Sequence, residues 1–247
     1  MSKVMSAHQP NFMPYLGVFD KMKKSDIFVI RDEVLYVRKE FQNRNKIRIN
    51  GNDNLNNPQS KWVGVPVCHK EDYIKHILIN NELKIKGKNW KHQLIHDLEA
   101  NYKKTEYFNK FFPMLKEIIL KEHTTLLNLN LEIMEFFRKA FNINTKIIFA
   151  SQLGLKPEHY EKSNASQDII KICKTTGANV YLSGEGGKNY LDLELFNKEG
   201  IKVEFQEYIH PVYNQAFSGF LPYMSAIDAL FNYGGMPEPK NILEVIN

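Results

Sequence analysis

The residues whose types and spacing suit chemistry fall into four clusters. The densest, His8-Gln9-Pro10-Asn11-Phe12-Met13-Pro14-Tyr15-Leu16-Gly17, sets an imidazole, two carboxamides and a phenol on a stretch that its two prolines keep from forming a regular helix. An imidazole takes up or gives a proton near neutral pH, and carboxamides or backbone N–H groups stabilise an oxyanion. His8, Gln9 and Asn11 are therefore candidate catalytic residues and Tyr15 a candidate substrate contact, against the plainer reading of a histidine closing a structural turn. Asp32, just past the apolar run Ile27 to Ile30, either faces the same crevice as a catalytic group or only initiates a turn.

The second cluster places the carboxamides of Gln42 and Asn43 beside the cations Arg44 and Lys46, a set that suits a sugar, a ribose or a phosphate. Alternation along a strand pair would equally leave the basic run Arg38 to Arg48 as a solvated face. The third, Tyr181 to Asp192, is a glycine-rich connection between a strand and a helix. Its Ser183, Gly184, Gly186, Gly187, Lys188, Tyr190 and Asp192 let a backbone approach a phosphate, or make a plain tight turn. It matches neither G-x-x-x-x-G-K-[ST] nor G-x-G-x-x-G. The fourth, His210 to Phe217, offers His210, Tyr213 and Gln215 as pocket lining, with core packing of its rings the competing reading.

Other combinations carry less. His92 and His96 stand four apart on an expected helix but point away from its apolar stripe, which argues against a shared metal. Cys68 is a nucleophile only if His69 or His76 is set against it, and otherwise reads as a buried spectator thiol. No H-E-x-x-H, paired-cysteine or G-x-S-x-G motif is present, and no metal site is expected.

The elements that must position these residues follow from hydrophobic periodicity. Val4 to Ala7 and Ile27 to Ile30 read as buried strands joined through a helix from Leu16, the βαβ signature of a parallel sheet. Val34 to Arg38, Lys46 to Ile49, Lys61 to Val67 and Ile74 to Ile79 alternate like strands, with a loop over Asn50 to Ser60. Gly87 to Phe141 reads as three helices, the first with the stripe Trp90, Leu94, Leu98, Tyr102. Strands at Lys146 to Ala150, Val180 to Leu182 and Lys202 to Phe205 then alternate with helices at Gln167 to Thr176 and Leu191 to Lys198. A short helix at Ser225 to Asn232 has capping-box spacing between Ser225 and Asp228. The expected fold is α/β, a mostly parallel Rossmann-like sheet with a β-rich excursion and a helical insertion. It forms one domain, with an α/β start and β-rich section over 1–86, a helical lobe over 87–143 and a returning α/β part over 144–247.

Composition agrees with a folded globular protein: 247 residues, 43% hydrophobic and 25% charged, with a net charge of +5 spread along the chain. A spread this even argues for a local anion site rather than a DNA-binding face. Two cysteines, no signal-peptide pattern and no apolar run of spanning length lead to the expectation of a cytoplasmic protein without a membrane span. A homo-oligomer is compatible with all of this.

His8 to Gly17, joined to Gln42-Asn43-Arg44-Asn45-Lys46-Ile47 and to the Tyr181 to Asp192 motif, resembles the WbqC-like protein family in order and spacing. The likeness continues through Phe196, Gly200-Ile201, Tyr213-x-Gln215 and Ser225-x-x-Asp228; Tyr15 stands where the family often has tryptophan. The resemblance implies a place in bacterial O-antigen or other surface-polysaccharide synthesis, as a transferase of glycine onto an amino sugar. The expected substrates are then a nucleotide-linked amino sugar and an activated acyl donor: ATP with glycine, an aminoacyl-tRNA, coenzyme A or a folate. The expected roles are proton acceptance by His8, oxyanion stabilisation by Gln9 and Asn11, and diphosphate binding by Arg44, Lys46 and the Gly184 to Lys188 loop. The opening strand, loop, helix and Asp-led strand are also similar in outline to class I nucleotidyl-transferase folds, without their paired histidines. A sugar-nucleotide-binding assembly protein and a glycosyltransferase are the alternatives, the latter without a D-x-D-type motif.

Overall fold

The computed structural model describes residues 2–50, 57–68, 72–154 and 165–239. The chain begins with β1 (Val4–His8), α1 (Leu16–Lys23) and β2 (Ile27–Ile30), then makes two small hairpins, β3 (Arg44–Ile49) with β4 (Gln59–Gly64) and β5 (Lys84–Ile85) with β6 (Lys88–Asn89). Helices α2 (Trp90–Tyr102), α3 (Phe108–Leu120) and α4 (Leu126–Ala140) form the insertion. The alternation resumes with β7 (Lys146–Phe149), α5 (Ala165–Thr176), β8 (Val180–Ser183), α6 (Leu193–Lys198) and β9 (Lys202–Phe205), and α7 (Ala226–Tyr233) follows.

Five strands make one parallel sheet in the spatial order β7-β2-β1-β8-β9. Counted along the chain these are the third, second, first, fourth and fifth strands of the sheet, the doubly wound order. The direction of winding therefore reverses between β1 and β8, where the loops leaving the two carboxyl ends part and open a crevice. The β2 sequence Ile-Phe-Val-Ile is buried throughout because both faces of the sheet are covered. Ile27 and Val29 pack with Met5, Ala7 and residues of α5 and α6, whereas Phe28 and Ile30 pack with α1, the insertion and α7. The stripe Trp90, Leu94, Leu98, Tyr102 is buried as its spacing predicts. No helix among the described residues is long and apolar enough to cross a membrane.

Three expectations change. Residues 34–38 form no strand, only a bridge from Leu35 to Tyr73, because the Gln42 carboxamide takes the Val37 N–H and the Leu35 carbonyl that a neighbouring strand would use. Ile74 to Ile79 is likewise no strand: a 3₁₀ turn at Ile74–His76 precedes isolated bridges at Leu78 and Ile79. Ser225 does cap α7 through Ile227 N–H, but Asp228 completes no capping box. Its carboxylate is fully buried and accepts hydrogen bonds from Tyr102 Oη, Tyr213 Oη and Gln215 Nε2, each at 2.9 Å. Gln215 Oε1 in turn accepts from Arg48 Nε at 3.2 Å, so one carboxylate ties the insertion, the β3–β4 hairpin and α7 together.

Candidate functional site

The crevice between β1 and β8 holds three adjoining cavities of about 320, 310 and 400 Å3. The first lies among Lys21, Arg31, Tyr181, Tyr190 and the Gly184 to Gly187 turn. The second is walled by Tyr15, Gln206, Tyr208 and Tyr223, the third by Tyr15, Phe41, Tyr223 and the carboxamides of Asn11 and Asn45. His8, the last residue of β1, is the only described residue lining all three.

The ring of His8 is fixed by contact of Nδ1 with the Gln9 carbonyl at 2.8 Å. A carbonyl only accepts, so Nδ1 carries the proton and Nε2 keeps its lone pair, unpartnered among the described residues. His8 stays open to the cavities yet lies deep in the protein, and loss of water, with the nearby Lys21 charge, pushes its pKa down to about 3. At neutral pH it is an uncharged hydrogen-bonding group.

Lys21 is the residue that sequence reading missed. It follows Gly17 by four and Val18 by three on α1, so the helix turns it onto the buried face, where its Nζ donates to the Ala7 carbonyl at 3.0 Å. No carboxylate pairs with it among the described residues, and burial pushes its pKa down to about 8. Arg31 beside it is already committed, to Glu33 and, at 3.5 Å, to Asp168. A buried ammonium without a counter-ion, at the mouth of a parallel sheet, is a site waiting for an anion.

Lys21→Met tests this directly. Between its ordinary 10.5 and its folded value of about 8, Lys21 penalises folding wherever it is charged, a penalty complete below pH 8 and relieved as pH rises to 10.5. The variant is expected to be more stable than the parent by about 3 kcal/mol at pH 7 in urea unfolding, with the difference gone near pH 10.5. It is also expected to bind inorganic pyrophosphate at least about tenfold more weakly, the loss of a charged hydrogen bond.

Of the sequence candidates, His8, Gln9, Asn11, Tyr15, Gly184, Gly186, Gly187 and Tyr190 line these cavities. Gly186 faces open space, whereas a β-carbon on Gly187 would collide with Ser183 Oγ, so that glycine permits a close turn over the end of β8. Ser183 is buried and donates to the Gly184 carbonyl. Asp32 is used structurally: its two oxygens accept from the N–H and Oγ of Ser151 at 3.0 and 2.6 Å, locking the end of β2 to the end of β7. Gln42 bonds Gln9, and Asn43 bonds the Val65 carbonyl. The Arg44 guanidinium lies 4.2 Å from the Trp62 ring centre with Lys46 at 5.2 Å, and neither lines the crevice. Lys188 pairs with Glu185 on the surface, and Asp192 caps α6 through Leu195 N–H. Tyr213 and Gln215 belong to the Asp228 network, and His210 packs among Tyr208, Tyr213, Phe220 and Tyr223 behind the second cavity.

The remaining sulfur and imidazole candidates stay apart from this site. His92 and His96 sit on the exposed side of α2, and no group of three His, Cys, Asp or Glu among the described residues could hold a metal ion. His76 contacts Asp72 at 3.0 Å, and His69 lies outside the described residues. Cys68 is exposed rather than buried, whereas Cys173 is buried, which pushes its thiol up to about 12.

Comparison with known proteins agrees with the motif order. An uncharacterized protein of Mycobacterium tuberculosis, Rv1507c, is 28% identical over 234 residues, 94% of each chain. No solved structure matches at the same level of significance. The sequence model of the WbqC-like protein family matches residues 9–237, which spans the whole of the crevice apart from its β1 floor, and the chain belongs to that family.

Proposed function

We propose that this protein transfers a glycyl or other small acyl group to the amine of a nucleotide-linked amino sugar, in the assembly of a bacterial O-antigen or related surface glycan. The observation that carries the reading is the meeting of three cavities at one neutral imidazole, His8, beside the unpaired ammonium of Lys21. Two substrates must meet at one proton acceptor in such a reaction, and one of them brings a diphosphate.

In this reading Lys21 and the backbone of the Gly184 to Gly187 turn hold the diphosphate, the role that residue type alone suggested for Arg44 and Lys46. The sugar ammonium enters a floor where loss of water favours the free amine, as it does for Lys21, and where the Lys21 charge adds to that preference. The amine nitrogen attacks the acyl carbonyl, the C–N bond forms, and the bond from the acyl carbon to its carrier breaks. His8 Nε2 accepts the proton released by the nitrogen, whose acidity rises as the tetrahedral adduct forms. Burial does most to depress His8, and a diphosphate on Lys21 offsets the smaller part due to the Lys21 charge, so the imidazole becomes more basic when substrate is bound. Gln9, whose Oε1 accepts from Gln42 Nε2, turns its amide N–H groups to the oxyanion.

Mass spectrometry of a panel of nucleotide-linked amino sugars, incubated with the protein, ATP and glycine or with pre-activated donors, tests this. A gain of one acyl unit on an intact sugar nucleotide is the expected result. Release of free nucleotide would replace the reading with glycosyl transfer, and saturable binding without any product would replace it with a binding role.

A further inference from the structure

The third cavity has a chemistry of its own. Tyr15 and Tyr223 stand with ring centres 6.2 Å apart at 58°, and Phe41 completes the wall, held by Trp62 at 5.7 Å, which Arg44 covers from behind. Asn45 is spent on the Met13 carbonyl and the Lys46 N–H. Asn11 is not: its side chain is more than nine-tenths buried, lines the cavity, and its Oδ1 has no hydrogen-bond partner among the described residues. A buried amide left unpaired is costly unless a ligand completes it. Tyr223 is held at φ 61, a left-handed backbone that a tyrosine rarely adopts, and the fold tolerates this while more than half of its side chain remains exposed beside the cavity.

We propose that the cavity between Tyr15, Phe41 and Tyr223 is a second subsite, which stacks the planar heteroaromatic ring of the acyl donor's carrier and hydrogen-bonds its edge through Asn11. The identity of the occupant rests on the acyl-transfer reading: aminoacyl-tRNA, coenzyme A, an acyl adenylate and a folate all present a planar nitrogen heterocycle. Aromatic walls supply face contact, and one carboxamide supplies the edge contact that sets orientation. The cavity of about 400 Å3 is of ordinary ligand size. It adjoins the Lys21 cavity at His8 and Gln9, so a donor held here and a sugar nucleotide held there reach the imidazole from different sides.

Adenosine, a heterocycle without phosphate, and inorganic pyrophosphate are the two probes, titrated into the full chain by calorimetry. Adenosine is expected to bind the parent, and to bind at least about tenfold more weakly to Tyr223→Gly and to Phe41→Ala, with pyrophosphate affinity within about twofold of the parent. Both rings are partly exposed, and glycine accepts the left-handed backbone at 223 without strain, so these variants keep the fold. Lys21→Met is expected to show the reverse pattern. Absence of adenosine binding, equal binding by the parent and both variants, or competitive displacement of adenosine by a nucleotide-linked amino sugar would overturn the proposal. Tyr223-dependent adenosine binding without any acyl transfer would support the subsite and overturn only the reaction.

Discussion

Exchange of His8 for Gln is expected to lower kcat by about 10³-fold, the usual magnitude for loss of a positioned proton acceptor, while KM for the sugar nucleotide changes by less than about threefold. The split follows from geometry: the imidazole sits where the cavities meet, whereas the anion contact belongs to Lys21. Stability gives an independent readout. His8 is neutral in the folded chain down to about pH 3 and charges at 6.5 when unfolded, so its contribution makes stability rise between those values. Asp228, pushed up to about 6 from 3.8 by burial, makes stability fall as pH rises through that window. The two slopes oppose each other in the parent. In His8→Gln the His8 slope is gone, and urea unfolding is expected to show stability declining from pH 4 to 6. Turnover within threefold of the parent, or an unchanged pH profile of stability, would remove His8 from the role given to it.

The largest loss of stability is expected from Asp228→Ala. The substitution leaves Tyr102 Oη, Tyr213 Oη and Gln215 Nε2 without their acceptor in a fully buried place, and removes a negative charge that attracts the Arg48 guanidinium. Breaking one side of such a network costs about 4 kcal/mol, or about 12 °C in Tm for a chain of this size. Asp228→Asn retains the volume and one acceptor and is expected to lose about half as much. The insertion, the β3–β4 hairpin and α7 meet at this carboxylate, so hydrogen exchange should rise in all three in Asp228→Ala. A fall in Tm of less than about 3 °C would show that the network is dispensable.

How far the fold was legible in the sequence depends on where the hydrogen bonds go. The β2 run Ile27 to Ile30 and the stripe from Trp90 to Tyr102 declare themselves because burial demands apolar residues at a fixed period. Residues 34–38 carry a strand-like alternation too, but the Gln42 carboxamide, only a few residues further on and a side-chain partner that hydrophobic periodicity does not register, takes their backbone groups. The site divides in the same way. The loop after β1 is readable because its residue types are unusual and its place at a strand end is implied by the βαβ pattern. Lys21 is not, since a lysine in a short helix reads as a solvated charge until the helix is docked and its Gly17–Val18 face turns inward. Asp228 looks like a cap from its spacing to Ser225, and only the tertiary fold reveals three donors around it. Tyr223 has no local signature, because its left-handed backbone is imposed by its surroundings. Arg44 and Lys46 mislead in the opposite sense: cations beside amides suggest phosphate, and the hairpin register instead sets them on Trp62.

The most direct measurement is a crystal structure of the protein with a nucleotide-linked amino sugar bound. The expected complex has a diphosphate oxygen within hydrogen-bonding distance of Lys21 Nζ and the sugar amine beside His8 Nε2, with the cavity of Tyr15, Phe41 and Tyr223 still free for the donor. A ligand lying outside the β1–β8 crevice, or inside it with its amine directed away from His8, would contradict the proposed reaction.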